Sequence, residues 1–97
     1  MLDLRLCRLR VPGTVVVAAL PAETVMLSLD TGCYHGLDPS AGRMLELVTS
    51  HGGVRGAAAQ LALHSDRPAD AFEDELCELC HDLLTRGLLE VVDAGPR

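Results

Sequence analysis

Residues 25–40, with the sequence VMLSLDTGCYHGLDPS, constrain the fold more than any other part of the chain. Apolar and polar residues alternate up to a glycine, a second short extended run follows, and Asp38-Pro39 marks the start of a helix. This order is typical of a β-hairpin that leads into a helix. Residues 30–32 predict a three-residue loop in which Gly32 has a positive φ.

The loop length sets the register of this hairpin. The predicted pairs are Leu29 with Cys33, Leu27 with His35, and Val25 with Leu37. The buried face is then Val25, Leu27 and Leu29 on the first strand and Cys33, His35 and Leu37 on the second, while Tyr34 and Gly36 point outward. A slip of one residue would exchange the two faces, because side chains alternate along a strand.

A third strand is predicted before the hairpin. Residues 15–20 are an apolar run that begins with three valines, and β-branched residues favour strands. We expect this run to pair with residues 25–30, which leaves residues 33–37 as an unpaired edge. That edge contains no Lys and no Pro, so nothing in its sequence protects it against the addition of another strand.

Three helices are predicted after the sheet, each with one apolar stripe. The first begins with Asp38 as N-cap, the second covers residues 54–63, and the third begins with a capping box of Asp70 and Glu73 and ends at Arg86-Gly87. An extended tail at residues 88–92 is expected to return along the sheet. The predicted fold is α+β and winged helix-turn-helix-like: a three-stranded antiparallel sheet followed by three helices (βββααα), with residues 1–13 as an extended segment and residues 14–93 as the domain.

Charge and hydropathy exclude several classes of partner. The net charge is −6 and all eight basic residues are scattered arginines, which argues against a nucleic-acid partner. No apolar segment is long enough to span a membrane, and the N-terminus does not have the continuous apolar run of a signal peptide. We therefore expect a cytoplasmic protein that has no membrane partner and keeps its four cysteines reduced.

The motif Cys77-x-x-Cys80-His81 matches the pattern for covalent haem attachment and brings together three side chains that could bind zinc. Both interpretations are weak, because haem attachment requires export and a structural zinc needs a fourth ligand. Both cysteines lie on the apolar side of the third helix, where cysteine packs as a small hydrophobe. His35 beside Cys33 has no orienting group for thiol catalysis. We predict no catalytic residue, no metal site and no cofactor.

The chain resembles the PqqD-like family of leader-peptide recognition elements for ribosomally made, post-translationally modified peptides. The resemblance covers residues 15–92, and its most telling parts lie in three places: Leu29-Asp30-x-Gly32-x-Tyr34-x-Gly36-Leu37-Asp38, the region from Gly42 to Met44, and Arg86-Gly87-Leu88-Leu89. Among these proteins the chain is most similar to the small stand-alone members found in lasso-peptide gene clusters.

The resemblance implies a non-catalytic adaptor that binds the leader of a precursor peptide and presents it to a cysteine-protease-like leader peptidase and an ATP-dependent macrolactam synthetase. In the family, the leader adds as an antiparallel strand to the third strand and lies against the last helix. The implied peptide-binding residues are Cys33, Tyr34, His35, Gly36 and Leu37 on the strand, and Leu76, Cys77, Cys80 and Leu84 on the helix.

Two other functions remain open at this point. The same fold could be a winged-helix interaction module that dimerises through its sheet edge or an acidic helix face. A haem or thiol redox protein that uses Cys77, Cys80 and His81 is the second alternative. Binding of a leader peptide would favour the adaptor, whereas visible absorbance or bound metal would favour the redox protein.

Overall fold

The computed structural model describes residues 3–93. In chain order its elements are a turn of 3₁₀ helix (Leu4–Leu6), β1 (Arg8–Arg10), β2 (Val15–Ala19), β3 (Thr24–Ser28), β4 (Tyr34–Leu37), α1 (Pro39–Ser50), α2 (Val54–Leu63), α3 (Ala69–Thr85) and β5 (Glu90–Asp93). Strands β2, β3 and β4 form an antiparallel sheet in that order, and the three helices follow it. The predicted α+β class and βββααα order are therefore confirmed. Among residues 3–93, no helix is both long and apolar enough to cross a membrane.

The predicted hairpin register is wrong by one residue. Strands β3 and β4 pair Leu27 with Tyr34 and Met26 with His35. The Gly32 N–H donates to the Ser28 carbonyl at 2.8 Å, so the loop has four residues, 29–32, rather than three. Gly32 has a φ of 73°, as predicted. The extra loop residue is Leu29, which was expected in the strand.

This shift reverses the predicted facing of β3. Met26 and Ser28 are buried, whereas Leu29 lies in the loop with 60% of its surface exposed. Val25 and Leu27, predicted as the buried face, are only half-buried on the outer side. Their place against the helices is taken by Met26, whose unbranched side chain adapts to the space available.

On β4 the predicted facing agrees with the structure for four of five residues. His35 and Leu37 are half-buried, whereas Tyr34 and Gly36 are exposed. Cys33, predicted on the inner face, is exposed because it lies at the end of the loop, before the strand begins.

Helix α1 starts directly after β4 and packs on the inner face of the sheet. Its N-cap is Asp38, whose carboxylate accepts the Ala41 N–H at 2.8 Å, with Pro39 at the first helical position, as predicted. Gly42 lies so close to β3 that a Cβ there would collide with the Thr24 side chain. The core fills the space between sheet and helices, and its largest fully buried side chains are those of Met26, Leu76, Leu83, Leu88, Val48, Val54 and Cys80.

Helix α3 ends as predicted but begins differently. Its N-cap is Pro68 and no side chain caps it, so the capping box of Asp70 and Glu73 is wrong: Asp70 lies in the first turn. Glu73 instead lies 4.0 Å from Arg55 of α2. At the C-terminus, the Leu88 N–H donates to the Leu83 carbonyl at 2.8 Å. This six-residue closure is the Schellman arrangement that a C′ glycine permits.

The two ends of the described chain pair with each other. Strand β5 is antiparallel to β1 in a separate two-stranded sheet, so the tail does not return along the three-stranded sheet as expected. Cys7 and Leu9 are buried in the core, and residues 4–6 form a helical turn where an extended segment was predicted. Burial of these apolar side chains explains why the N-terminal segment packs with the domain.

We expect Gly87→Ala to lower the free energy of unfolding by roughly 1 kcal/mol, because a Cβ is disfavoured in the left-handed region. Gly87 has a φ of 75° and open space around it, so the cost is conformational and not steric. Thermal unfolding should show a midpoint lower by about 5 °C. Gly13 is also in open space but has no positive φ, so Gly13→Ala serves as the control. Equal midpoints for the two variants would contradict this account of the helix end.

Candidate functional site

The unpaired edge of β4 is the first component of the candidate site. The Ser28 N–H donates to the Cys33 carbonyl at 2.9 Å. Hydrogen-bonded and non-bonded pairs alternate in an antiparallel ladder, so His35 also bonds to β3 whereas Tyr34 and Gly36 turn their backbone N–H and C=O groups away from it. Within residues 3–93, no strand pairs with that outer side of β4. Two N–H and two C=O groups are therefore presented along one edge.

The C-terminal turn of α3 lies beside this edge. The Arg86 Nη1 lies 3.2 Å from the His35 Nδ1. Because a guanidinium only donates, this contact is a hydrogen bond in the tautomer whose Nδ1 accepts. Arg86 also donates from Nε to the Asp82 carboxylate at 3.1 Å. The three side chains form a bridge from β4 to the helix end.

The bridge identifies which flank of α3 faces β4. Leu79 and Asp82 precede Arg86 by seven and four residues, so all three lie on one side of the helix. Leu79 is half-buried and packs against the core. We define the edge groove as the β4 edge together with this flank of α3, on which Leu79 lies, with the bridge at its end.

The four helix residues predicted to bind peptide do not lie together on that flank. Leu76 and Cys80 are core residues with 0% and 1% of their surface exposed. Cys77 and Leu84 are half-buried, but Leu84 precedes Arg86 by two residues and so points roughly 200° away around the helix. Sequence reasoning did not place Leu79 and Arg86 at the candidate site. The only sequence signal for them was their seven-residue spacing, which a core stripe also shows.

A second cleft lies on the other flank of α3, between this helix and the N-terminal 3₁₀ turn. Its volume is about 500 Å³, and Leu4, Arg5, Asp74, Cys77 and His81 are among its lining residues. Arg5 is held by Asp3, through an Nε to carboxylate contact of 3.4 Å. This cleft is on the opposite side of the helix from β4, so it is separate from the edge groove.

The cysteines of the Cys77-x-x-Cys80-His81 motif differ in their surroundings. Burial raises the pKa of the Cys80 thiol to about 12, so this side chain stays protonated near neutral pH. Burial also raises the pKa of the Cys77 thiol, although the nearby Arg5 opposes this effect. His81 is exposed. Within residues 3–93, no three His, Cys, Asp or Glu side chains are arranged to hold a metal ion.

Comparison with known protein families is decisive for the identity of the chain. The model of the PqqD family, described as coenzyme PQQ synthesis protein D, matches residues 23–89. The chain belongs to the PqqD family. This confirms the predicted resemblance, and the matched region of this PqqD-family protein runs from just before β3 to the end of the turn after α3. A comparison with curated proteins gave no significant match.

Two solved structures are similar to this PqqD-family protein. One is TbiB1 in complex with the TbiA(beta) leader peptide, which is 26% identical, has a TM-score of 0.75, and aligns over 84% of this chain and 94% of that chain. The other is lasso peptide synthetase B1 complexed with the leader peptide, at 18% identity and a TM-score of 0.76, over 86% of this chain and 98% of that one. The second match shows a shared fold. Both of these solved structures are complexes with a leader peptide.

Proposed function

We propose that this PqqD-family protein binds the leader segment of a ribosomally made precursor peptide by β-strand addition to β4. The observation that supports this function best is the unpaired edge of β4 beside a helix flank, in a fold shared with two leader-peptide complexes. An extended peptide that pairs with such an edge satisfies its open N–H and C=O groups. The strand contacts are Cys33, Tyr34, His35, Gly36 and Leu37, with the backbone pairing at Tyr34 and Gly36.

Backbone pairing alone gives little affinity. Each hydrogen bond contributes a net 0.5–1.5 kcal/mol or so, whereas ordering each peptide residue costs roughly 1–2 kcal/mol. The binding free energy must therefore come from apolar leader side chains buried in the edge groove, at about 1.5–3 kcal/mol each. We place these contacts on Leu79, Leu37 and the apolar stem of Arg86, because they share the side of the fold that β4 borders.

The four α3 residues that the sequence analysis gave as peptide-binding contribute less to binding in this proposal. Leu76 and Cys80 are buried in the core, so they do not contact a peptide on β4 directly. Cys77 and Leu84 lie on the opposite flank, where a peptide on β4 would not reach them without crossing the helix. A leader that continues around the helix would be needed to contact that flank.

We also propose that the protein is an adaptor without catalytic chemistry. Among the described residues, the ionisable groups at the groove, His35, Asp82 and Arg86, are engaged with one another. The partners would be a cysteine-protease-like leader peptidase and a macrolactam synthetase in the cytoplasm, as in lasso-peptide biosynthesis. Of the two leader-peptide complexes of similar fold, one is described as a lasso peptide synthetase B1, and this supports the choice of pathway.

Fluorescence anisotropy with labelled leader peptides tests the proposal. The peptides are taken from precursor genes adjacent to the gene of this protein, with an unrelated leader as the negative control. We expect selective binding that is weakened at least tenfold by Leu79→Asp, since the loss of one buried leucine contact is worth about 1.5–3 kcal/mol. Leu84→Asp is the matched control, because Leu84 is a half-buried leucine on the other flank of the same helix.

Circular dichroism separates loss of binding from loss of fold in both variants. If Leu84→Asp weakens binding and Leu79→Asp does not, the leader binds the other flank of α3 and the proposed position of the groove is wrong. If no neighbouring leader binds, the adaptor function is wrong and a winged-helix interaction module becomes the better interpretation.

A further inference from the structure

The sheet has a second unpaired edge at β2, and it differs in character from the β4 edge. Val16, Val17 and Leu20 have 49%, 41% and 52% of their surface exposed, on both faces of the strand. Residues 11–22 contain no charged side chain. Contiguous exposed apolar surface of this kind marks an interaction site more often than a solvated edge.

Backbone groups of β2 also point outward. The Leu29 N–H donates to the Thr14 carbonyl, and the Leu20 N–H donates to the Glu23 carbonyl, both at 2.8 Å. Even-numbered positions of this strand therefore bond to β3, and by alternation Val17 and Ala19 direct their N–H and C=O groups away from the sheet. In the part of the chain from residue 3 to residue 93, no strand lies beyond β2.

An apolar groove runs beside this edge, between the inner face of β2 and α1. It has a volume of about 390 Å³, and its lining includes Val11, Val17, Ala19 and Leu45, with Glu46 of α1 as its one acidic residue. Here α1 is held over β3 by the close contact of Gly42 with Thr24, which leaves the inner face of β2 accessible.

We propose that a second copy of this chain covers the β2 edge, by antiparallel pairing of the two β2 strands about a two-fold axis at Val17. This arrangement places Val15 opposite Ala19 of the second copy and brings each Val17 to the mouth of the other groove. A two-fold pair of this kind is self-complementary, since the same patch serves both copies. It satisfies the outward N–H and C=O groups at Val17 and Ala19.

The distribution of charge favours a second copy as the occupant. Each chain has a net charge of −6, so two copies repel each other least where acidic side chains are few. The acidic residues concentrate on the segment 66–82, and α3 lies beside β4 at the other edge of the sheet. Pairing through β2 therefore joins the two uncharged edges and keeps the acidic helices at opposite ends of a six-stranded sheet.

The proposed dimer does not depend on the leader-binding function. Both β4 edges lie at the ends of the six-stranded sheet, so they stay accessible whether or not they bind peptide. The interface is formed mainly by one five-residue strand from each copy, which is at the small end of specific interfaces. We therefore expect a dimer that dissociates on dilution.

Sedimentation velocity over about 1 μM to 1 mM protein tests the proposal. For the unaltered chain, the mass should rise from that of one chain to that of two. Val17→Lys should keep the mass of one chain throughout, because the two ammonium groups would face each other on the inner face of the paired strands, at the mouths of the grooves. Tyr34→Lys places the same charge on the β4 edge and should dimerise normally. A single-chain mass for the unaltered protein at all concentrations would overturn the proposal, as would normal dimerisation of Val17→Lys.

A second measurement keeps the test independent of whether Val17→Lys folds. In the unaltered protein, hydrogen exchange at the Val17 and Ala19 amides should slow as the concentration rises, while exchange at Tyr34 and Gly36 stays constant. Slowing at Tyr34 and Gly36 instead would show dimerisation through β4 and would contradict pairing through β2.

Discussion

Cys80→Asp is expected to unfold the domain at neutral pH. Cys80 is 1% exposed, and burial already raises the pKa of its thiol to about 12. The same desolvation acts on a carboxylate placed at this position. Among the described residues, the pKa of the Cys80 thiol is shifted by burial and by Cys77, and no cation lowers it. An unpaired buried charge costs several kcal/mol, which is comparable to the whole stability of a small domain, about 5–15 kcal/mol.

Cys77→Asp is the matched control from the same motif. Cys77 is half-buried at the rim of the cleft beside the 3₁₀ turn, close to Arg5, so a carboxylate there keeps contact with water and a cation. Urea denaturation followed by circular dichroism should show a folded Cys77→Asp variant and a largely unfolded Cys80→Asp variant. If Cys80→Asp unfolds at the same urea concentration as the unaltered protein, the placement of Cys80 in the core is wrong.

Tyr34→Pro is expected to abolish leader binding while the fold is retained. Proline removes the Tyr34 N–H, which points to the unpaired edge, and proline is tolerated at the first residue of an edge strand. The lost hydrogen bond and the ring beside the edge both prevent a peptide strand from approaching. Anisotropy with the cognate leader should show no saturation at concentrations that saturate the unaltered protein.

Two variants separate the possible causes of that loss. Tyr34→Ala removes the phenol but keeps the amide; because this side chain is 74% exposed, it should retain most of the affinity. His35→Pro removes an amide that bonds to Met26 within the sheet, so its main effect should be a lower thermal midpoint. Leader binding by Tyr34→Pro at unaltered affinity would show that the peptide does not pair with β4.

Features fixed by local chemistry were predictable from the sequence. The start of α1 follows from Asp38 and Pro39, and the end of α3 follows from Gly87, because caps depend only on neighbouring residues. The order of sheet and helices follows from the change of apolar period from two to 3.6. The resemblance to PqqD-like proteins rests on these same segments, and the family match covers most of them.

The register of β3 was not predictable, because three- and four-residue loops share the same sequence signals. Both accept a glycine at positive φ, and Gly32 fits either one. The choice depends on which side chains fill the core. Met26 does so fully, and no pattern of alternation distinguished it from Leu27.

The helix side of the candidate site was not predictable for a different reason. Apolar periodicity shows that α3 has a broad buried stripe, but it does not show how the helix lies against β4. That orientation depends on packing between residues far apart in the chain, and the contact of His35 with Arg86 joins residues 51 positions apart. Periodicity places Leu79 at the centre of the apolar stripe and Cys80 at its side, whereas in the structure Cys80 is fully buried and Leu79 only partly so.

Amide hydrogen exchange with and without the cognate leader tests strand addition to β4 most directly. Measured at a protein concentration where the chain is a monomer, the Tyr34 and Gly36 amides should exchange slowly only when the leader is bound. The His35 amide, already bonded to Met26, should be protected in both states, and the Val17 and Ala19 amides on the opposite edge should not change. Leader-dependent protection at Val17 and Ala19, or unchanged exchange at Tyr34 and Gly36 in the saturated complex, would contradict the account.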